Sequence, residues 1–353
     1  MRQRRFLAPG AVEGLRAGIY HCVSRVVDRQ FVLQKKEKEH FVTLMRLYEA
    51  FCGVRVLAYC VMSNHFHLLL EVPQRPAEGL SEREFFRRLS LLYSELHVAE
   101  VRELIAVRKK AKDWDGVEEI KERYLYRMWD LSQFMNSLKQ RFTQWFNKQH
   151  GRKGTLWEER FKSVIVEDGY AARVMAAYID LNPVRAGIVS KPEEYRWCGY
   201  AEALAGKGPA RVGVERVMSE FAEWGNGRAQ ADRRSWREVI AEYRVILFTD
   251  GEERLRVREN ERTQKVEVAR RGVSRDEAER VRKMGGKLSP GEMLRHRVRY
   301  FVDGTAIGTR EFLDDLFRER RERFGPRRTS GARKIRGCET PLCALRDLRE
   351  GVG

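Results

Sequence analysis

The sequence contains no run of 18 or more apolar residues, so no segment of it is suited to cross a bilayer as a helix. Its first ten residues, MRQRRFLAPG, are basic but lack the apolar stretch of a secretory signal. Cysteine is scarce. Cys22, Cys52, Cys60, Cys198, Cys338 and Cys343 are the only six, and no two form a C-x-x-C pair. That spacing argues against a zinc ribbon or a dithiol redox motif. Without a secretory signal, reduced thiols in a cytoplasmic protein are expected. No internal repeat of fixed period is present, nor any Asp-rich cluster of the kind that holds two metals in a nuclease. Acidic residues are in deficit, 51 against 69 basic, for a net charge of +18. Such an excess favours a polyanionic partner, because each cation placed on a phosphate releases a condensed counterion. A basic but ligand-free surface is the bland alternative, and an anionic membrane a weaker one.

What is present supports a folded protein. With 42% hydrophobic residues, the 353-residue chain can fill one large domain or two ordinary ones. Residues 17 to 27, rich in Tyr and Val, read as a strand. Phe41, Leu44, Leu47 and Tyr48 recur at helical spacing over 37 to 51, and Gly53 ends that helix. VRVLAYCVM (54 to 62) and FHLLLEV (66 to 72) are apolar strands joined by a short turn, which predicts an antiparallel hairpin. Charged helices broken at Gly116 fill 81 to 128, and an amphipathic helix carrying Phe134, Leu138, Phe142, Trp145 and Phe146 spans 132 to 150. RFKSVIVE (160 to 167) is a further strand. Asp168 is placed to cap the next helix, which stops before Pro183. This order predicts an α+β domain over residues 1 to 205, an antiparallel sheet with helices packed on one face. AGKGPARVG (205 to 213) reads as a linker to a basic, mainly helical region over 206 to 353.

NHFH (64 to 67) is the sharpest local feature. His65 and His67 stand two apart on a strand and therefore share a face, as a pair of metal ligands would. The bland alternative is two separately hydrogen-bonded histidines. A metal at such a pair would polarise a scissile phosphate and stabilise charge on its oxygens. In AAYIDLNPVRAG (176 to 187), Tyr178 and Asn182 are four apart and share a helix face, a phenol beside an amide oxygen. Near the histidines, Asn182 would complete a metal shell while Tyr178 attacks. Otherwise they are a core aromatic and a helix terminator.

Four segments occur in order: YHCVSRVVDRQ (20 to 30), AYCVMSNHFHLLLEVP (58 to 73), GTLWEERFKS (154 to 163) and YIDLNPVRAGIV (178 to 189). Together they closely resemble the REP-associated tyrosine transposases. These are single-tyrosine HUH transposases, whose hallmark is His, a hydrophobic residue, His. The resemblance covers residues 1 to about 205. It implies a ferredoxin-like sheet, Mg²⁺ or Mn²⁺ held by His65 and His67 with Asn182 as third ligand, and Tyr178 as the nucleophile. That tyrosine would form a 5′-phosphotyrosine link to single-stranded DNA at hairpin-forming repeats. Residues 77 to 130 exceed the compact family core and read as an inserted helical module. Tyr170 is a fallback nucleophile, while Phe142, on the preceding helix, has no hydroxyl.

Around this centre, Lys139, Arg141, Arg160, Lys162 and Arg185 are candidate phosphate contacts, and Trp157 a candidate base-stacking surface or a packing residue. Residues 289 to 325 read as two helices around a Gly-rich turn, a possible helix-turn-helix gripping a hairpin stem. The run 318 to 337 carries nine basic and two acidic residues, a DNA contact or a solvated tail. The expected partners are single-stranded DNA and DNA hairpins, bound by a monomer or homodimer with no membrane attachment. A catalytically inactive hairpin-binding descendant of a transposase is the main rival, and a metallohydrolase using the His pair alone is the second.

Overall fold

The computed structural model describes residues 17–219, 234–260, 263–287, 307–308, 310–319, 321, 324–326, 328–334 and 343–344. The first half follows the sequence pattern closely. Strand β1 (Gly18–Arg25) leads to helix α1 (Lys35–Cys52), then to strands β2 (Arg55–Val61) and β3 (His65–Val72). The Glu37 carboxylate accepts the Gln34 N–H at 3.0 Å and starts α1; Gly53, at φ 70°, ends it in the left-handed conformation that glycine adopts without strain. The turn between β2 and β3 is closed by the Met62 N–H donating to the His65 carbonyl at 2.8 Å. Helix α5 (Leu131–Gln149) is capped by Asp130, and strand β4 (Lys162–Val166) follows it.

The four strands lie in the order β2-β3-β1-β4, each neighbouring pair antiparallel. With α1 and α5 as the two crossovers, this is the ferredoxin-like arrangement. Helices α2 (Glu82–Leu89), α3 (Glu95–Lys110) and α4 (Trp114–Leu125) are added between β3 and α5. They do not hang from the surface. Phe85, Phe86, Leu89, Val98 and Ile105 join the core that α1 and α5 form with Tyr20, Phe66, Leu68 and Leu70 of the sheet. Gly116 does not break this helical stretch: it lies in the first turn of α4, its N–H accepted by Asp113 at 2.9 Å, and the break falls just before it.

The alternation of each strand sends the other residues to the opposite face. There Ile19, Ala58, Cys60 and Leu69 pack beneath α6 (Tyr170–Asp180), α8 (Gly199–Leu204), α9 (Gly208–Met218) and α10 (Trp236–Gly251). Between α6 and α8 runs the single turn α7 (Asn182–Arg185), with Pro183 near its start where a missing N–H costs nothing. Beyond the α1 and α5 layer that the pattern predicts, a second helical layer thus covers the other face.

Three local expectations change. The segment read as a linker, 205 to 213, mostly belongs to α9, whose Val214, Val217 and Met218 are buried in this second core. The region after 206 is not purely helical, since β5 (Arg254–Asn260) and β6 (Thr263–Arg270) form an antiparallel hairpin before helix α11 (Arg275–Lys283). Asp168 does not cap α6, whose cap position is Gly169; its carboxylate is taken by Arg216 instead. The helix-turn-helix expected at 289 to 325 falls largely outside the described residues, and so does a smaller part of the basic run 318 to 337; within them, Arg310–Glu319 is a helix. Among the described residues, no helix is long and apolar enough to cross a membrane. Cys22, Cys52, Cys60 and Cys198 are buried.

Candidate active site

The register of the sheet decides which side chains meet. His65 lies opposite Arg25, His67 opposite Val23, and Leu69 opposite His21. All six therefore share one face. On β4, Lys162 stands opposite Val23 and Val164 opposite His21. The His65 and His67 rings lie with centroids 5.0 Å apart and planes at 79°. The expectation that both rings point to one face is met.

Each ring has one nitrogen engaged. His65 Nδ1 lies 2.6 Å from Asn64 Oδ1, an oxygen that can only accept, so His65 donates from Nδ1 and keeps a bare lone pair on Nε2. His67 Nδ1 lies 3.0 Å from His21 Nε2, and the two rings stack at 5.2 Å and 8°. With His67 as the donor, its Nε2 is also left bare. Neither Nε2 takes a hydrogen bond among the described residues. Engaging one nitrogen to present the other is how metal-ligating imidazoles are oriented. Burial lowers the pKa of His21 and His65 to about 4 and that of His67 to about 3; for His65 and His67 the nearby Arg25 adds to the shift. The three rings are thus neutral at pH 7, the form that ligates metal.

Helix α6 brings Tyr178 over this cluster. Its ring meets His67 at 6.0 Å and His21 at 6.2 Å, edge-on to both, and is 40% exposed. The Arg185 guanidinium sits 4.9 Å from the centre of the same ring, placing a cation beside the phenol. Tyr170 begins the same helix, is 76% exposed, and makes no ring contact with the histidines. Asn182 lies one turn beyond Tyr178. Its amide nitrogen donates to the carbonyls of Tyr178 and Ile179 at 3.0 and 3.3 Å, while its Oδ1 accepts no hydrogen bond among the described residues. No hydrogen bond joins Asn182 to either histidine. A neutral imidazole lone pair and an amide oxygen are each groups that can ligate a divalent cation. Among the described residues, no group of three or more His, Cys, Asp or Glu side chains is arranged to hold one.

The proposed DNA contacts divide. Arg141, Arg160 and Lys162 are exposed, and Arg185 is partly so. Lys139 and Trp157 are buried instead. The Lys139 ammonium donates to the Glu159 carbonyl at 2.9 Å, and the Trp157 indole donates to the Lys139 carbonyl at 3.2 Å, packed against Phe41, Phe66 and Phe142. The stacking and phosphate roles expected of these two give way to packing, because a base cannot reach a ring enclosed on the α1–α5 side of the sheet. Sequence reasoning missed His21 and Arg25. Both stand in YHCVSR at even offsets, so the period of two that grouped His65 with His67 would have grouped them as well. Their place opposite β3 was not visible.

The sequence model of a family described as IS200-like transposases matches residues 16–82. The resemblance drawn from the ordered motifs stands on that segment, which spans β1 to β3 and carries His21, His65 and His67. It ends ahead of Tyr178. No curated protein matches the chain. Among solved structures, the chain is similar to a REP-associated tyrosine transposase bound to a REP hairpin, with 14% identity, 63% of this chain and 96% of that chain covered, and a TM-score of 0.36.

Proposed function

We propose that the chain is a transposase-type nuclease that cleaves and rejoins single-stranded DNA at hairpin-forming repeats through a 5′-phosphotyrosine intermediate. The observation carrying this reading is the ring contact of Tyr178 with His67 and His21, over a strand pair that matches IS200-like transposases. In the proposed cleavage, the Tyr178 phenol loses its proton and its oxygen attacks the scissile phosphorus. The bond to the 3′ oxygen breaks, and that oxygen leaves as a hydroxyl. The 5′ phosphate stays on the tyrosine, conserving the bond energy, so rejoining to an incoming 3′ hydroxyl needs no nucleotide cofactor.

His65 Nε2, His67 Nε2 and Asn182 Oδ1 are the proposed ligands of Mg²⁺ or Mn²⁺. When bound, the ion would polarise the phosphate and stabilise charge on its oxygens. Arg25, Lys162 and Arg185 ring the same face and are proposed to hold the strand by its phosphates, which positions DNA without reading sequence. Arg141 and Arg160 are proposed as outlying contacts. The proposed protein acts in the cytoplasm as a monomer or homodimer.

The test is cleavage of a labelled single-stranded oligonucleotide carrying a hairpin, with Mn²⁺, read on a denaturing gel for protein–DNA adduct. The parent chain should form the adduct. Tyr178→Phe should form none and still bind the hairpin within about twofold, since only a hydroxyl is removed. Cutting without attachment by Tyr178→Phe would support a metallohydrolase. Binding without cutting by the parent would support an inactive hairpin-binding descendant.

A further inference from the structure

Helix α6 carries few signals that would hold it in place by itself. It has 11 residues, its cap residue Gly169 has no side chain to receive an N–H, and neither its first turn nor its last has a charge that complements the helix dipole. A helix this short is marginal without tertiary support. The sheet beneath it supplies part of that support through Ala172, Ala176 and Ile179, and segments beyond residue 198 grip α6 at both ends.

At the N-terminal end, Arg216 of α9 reaches Asp168 with two nitrogens, at 3.1 and 2.6 Å. Its Nε donates to Glu71 at 2.8 Å. Glu71 ends the His face of β3, is fully buried, and is also paired with Arg55. One guanidinium therefore ties the entry to α6 to the strand that carries the histidines. At the C-terminal end, the buried Asp180 carboxylate accepts the Tyr200 N–H of α8 at 3.1 Å and the Tyr243 hydroxyl of α10 at 2.7 Å. The braces are themselves seated closely. A Cβ on Gly213 would sit 2.7 Å from the Leu57 carbonyl oxygen of β2, and one on Gly251 would sit 2.6 Å from Leu181, just past α6. Tyr178 lies between the two grips, against His67 and His21 of its own chain.

We infer that α8, α9 and α10 form a brace that fixes Tyr178 over the histidines of its own chain, with Arg216, Asp180 and Tyr243 as positioning residues. The inference rests on the reading of Tyr178 as nucleophile, and it assigns α8, α9 and α10 to presenting that nucleophile rather than to an independent DNA-binding module. It also assigns the tyrosine to use within one subunit.

The full-length chain carries the test. Hydrogen–deuterium exchange should show the α6 amides of Tyr243→Phe combined with Arg216→Gln exchanging at least about tenfold faster than in the parent, while β1 and β3 keep their protection. Single-turnover cleavage by each single variant should fall about 10- to 100-fold, because small misplacements of a reacting group cost that much. Hairpin affinity should move less than about twofold, which separates positioning from loss of the binding fold. Finally, Tyr178→Phe is mixed with a His65→Ala, His67→Ala chain. Use within one subunit predicts no adduct, and this arm does not depend on how well brace variants fold. An adduct from the mixture, or unchanged exchange in α6, overturns the inference. Failure of the parent to form any adduct overturns the proposed function instead, and the exchange arm still decides the brace.

Discussion

His21 illustrates how one buried side chain can govern another. It is 8% exposed, it stacks on His67, and its Nε2 is the partner of His67 Nδ1. Without it, His67 loses the group that sets its tautomer and ring angle. His21→Ala should therefore lower Mn²⁺ affinity about 10- to 100-fold, as loss of a partner behind a metal ligand does. Titration followed by the electron paramagnetic resonance of free Mn²⁺ measures this without any DNA or turnover. An unchanged affinity would remove His21 from the site. Asn64 plays the matching part for His65. The two partners differ in origin: Asn64 is the neighbour of His65 in sequence, whereas His21 is 46 residues from His67 and arrives only through strand pairing.

At the scale of elements, the sheet is a boundary between two cores. One face holds α1 and α5 with the helices α2 to α4, and the other holds α6 and the helices that follow it. Ending the chain at 205 would strip Val214, Val217, Met218, Val239, Ile240, Leu247 and Phe248 from the second core. Each such side chain contributes about 1.5–3 kcal/mol on burial, and their sum rivals the 5–15 kcal/mol total stability of an ordinary domain. A 1–205 fragment should thus lack a cooperative thermal transition in calorimetry. A fragment that melts as sharply as the whole chain would show that the second core is dispensable. The separate C-terminal domain suggested by the sequence would then begin at 206 after all. Periodicity gave the elements of the first half to within a few residues, because α1, α5 and β1 to β3 each bury a face of their own. It misjudged 205 to 213, since Gly208 and Pro209 read as breakers although Pro fits the first turn of a helix.

For the whole molecule, charge is the dominant quantity. A net charge of +18 predicts that affinity for DNA falls steeply with salt, in proportion to the phosphates neutralised. Removing 318 to 337 takes away a net seven positive charges, nine basic less two acidic, and should flatten the slope of log K against log salt. Fluorescence anisotropy with a labelled hairpin at several salt concentrations gives both slopes. Equal slopes would make this run a bystander.

The sequence by itself determined what is local or summed over the chain. Net charge needs no fold. The strands and helices of the first half follow from the spacing of apolar residues, and the shared face of His65 and His67 follows from the period of two within one strand. The tertiary structure decided everything that joins distant segments. Strand register placed His21 and Arg25 beside the His pair. Packing of α6 on the sheet chose Tyr178 over Tyr170 for contact with the histidines, although both lie on the same helix. Burial on the α1–α5 side turned Lys139 and Trp157 from surface candidates into core residues. Asp168 reads in sequence as a cap and nothing there singles out Asp180; only the fold made them the two anchors of α6. The physical reason is the same in each case. A residue's own periodicity says which way it points from its element, but not what stands opposite, and that is set by chain closure over tens of residues.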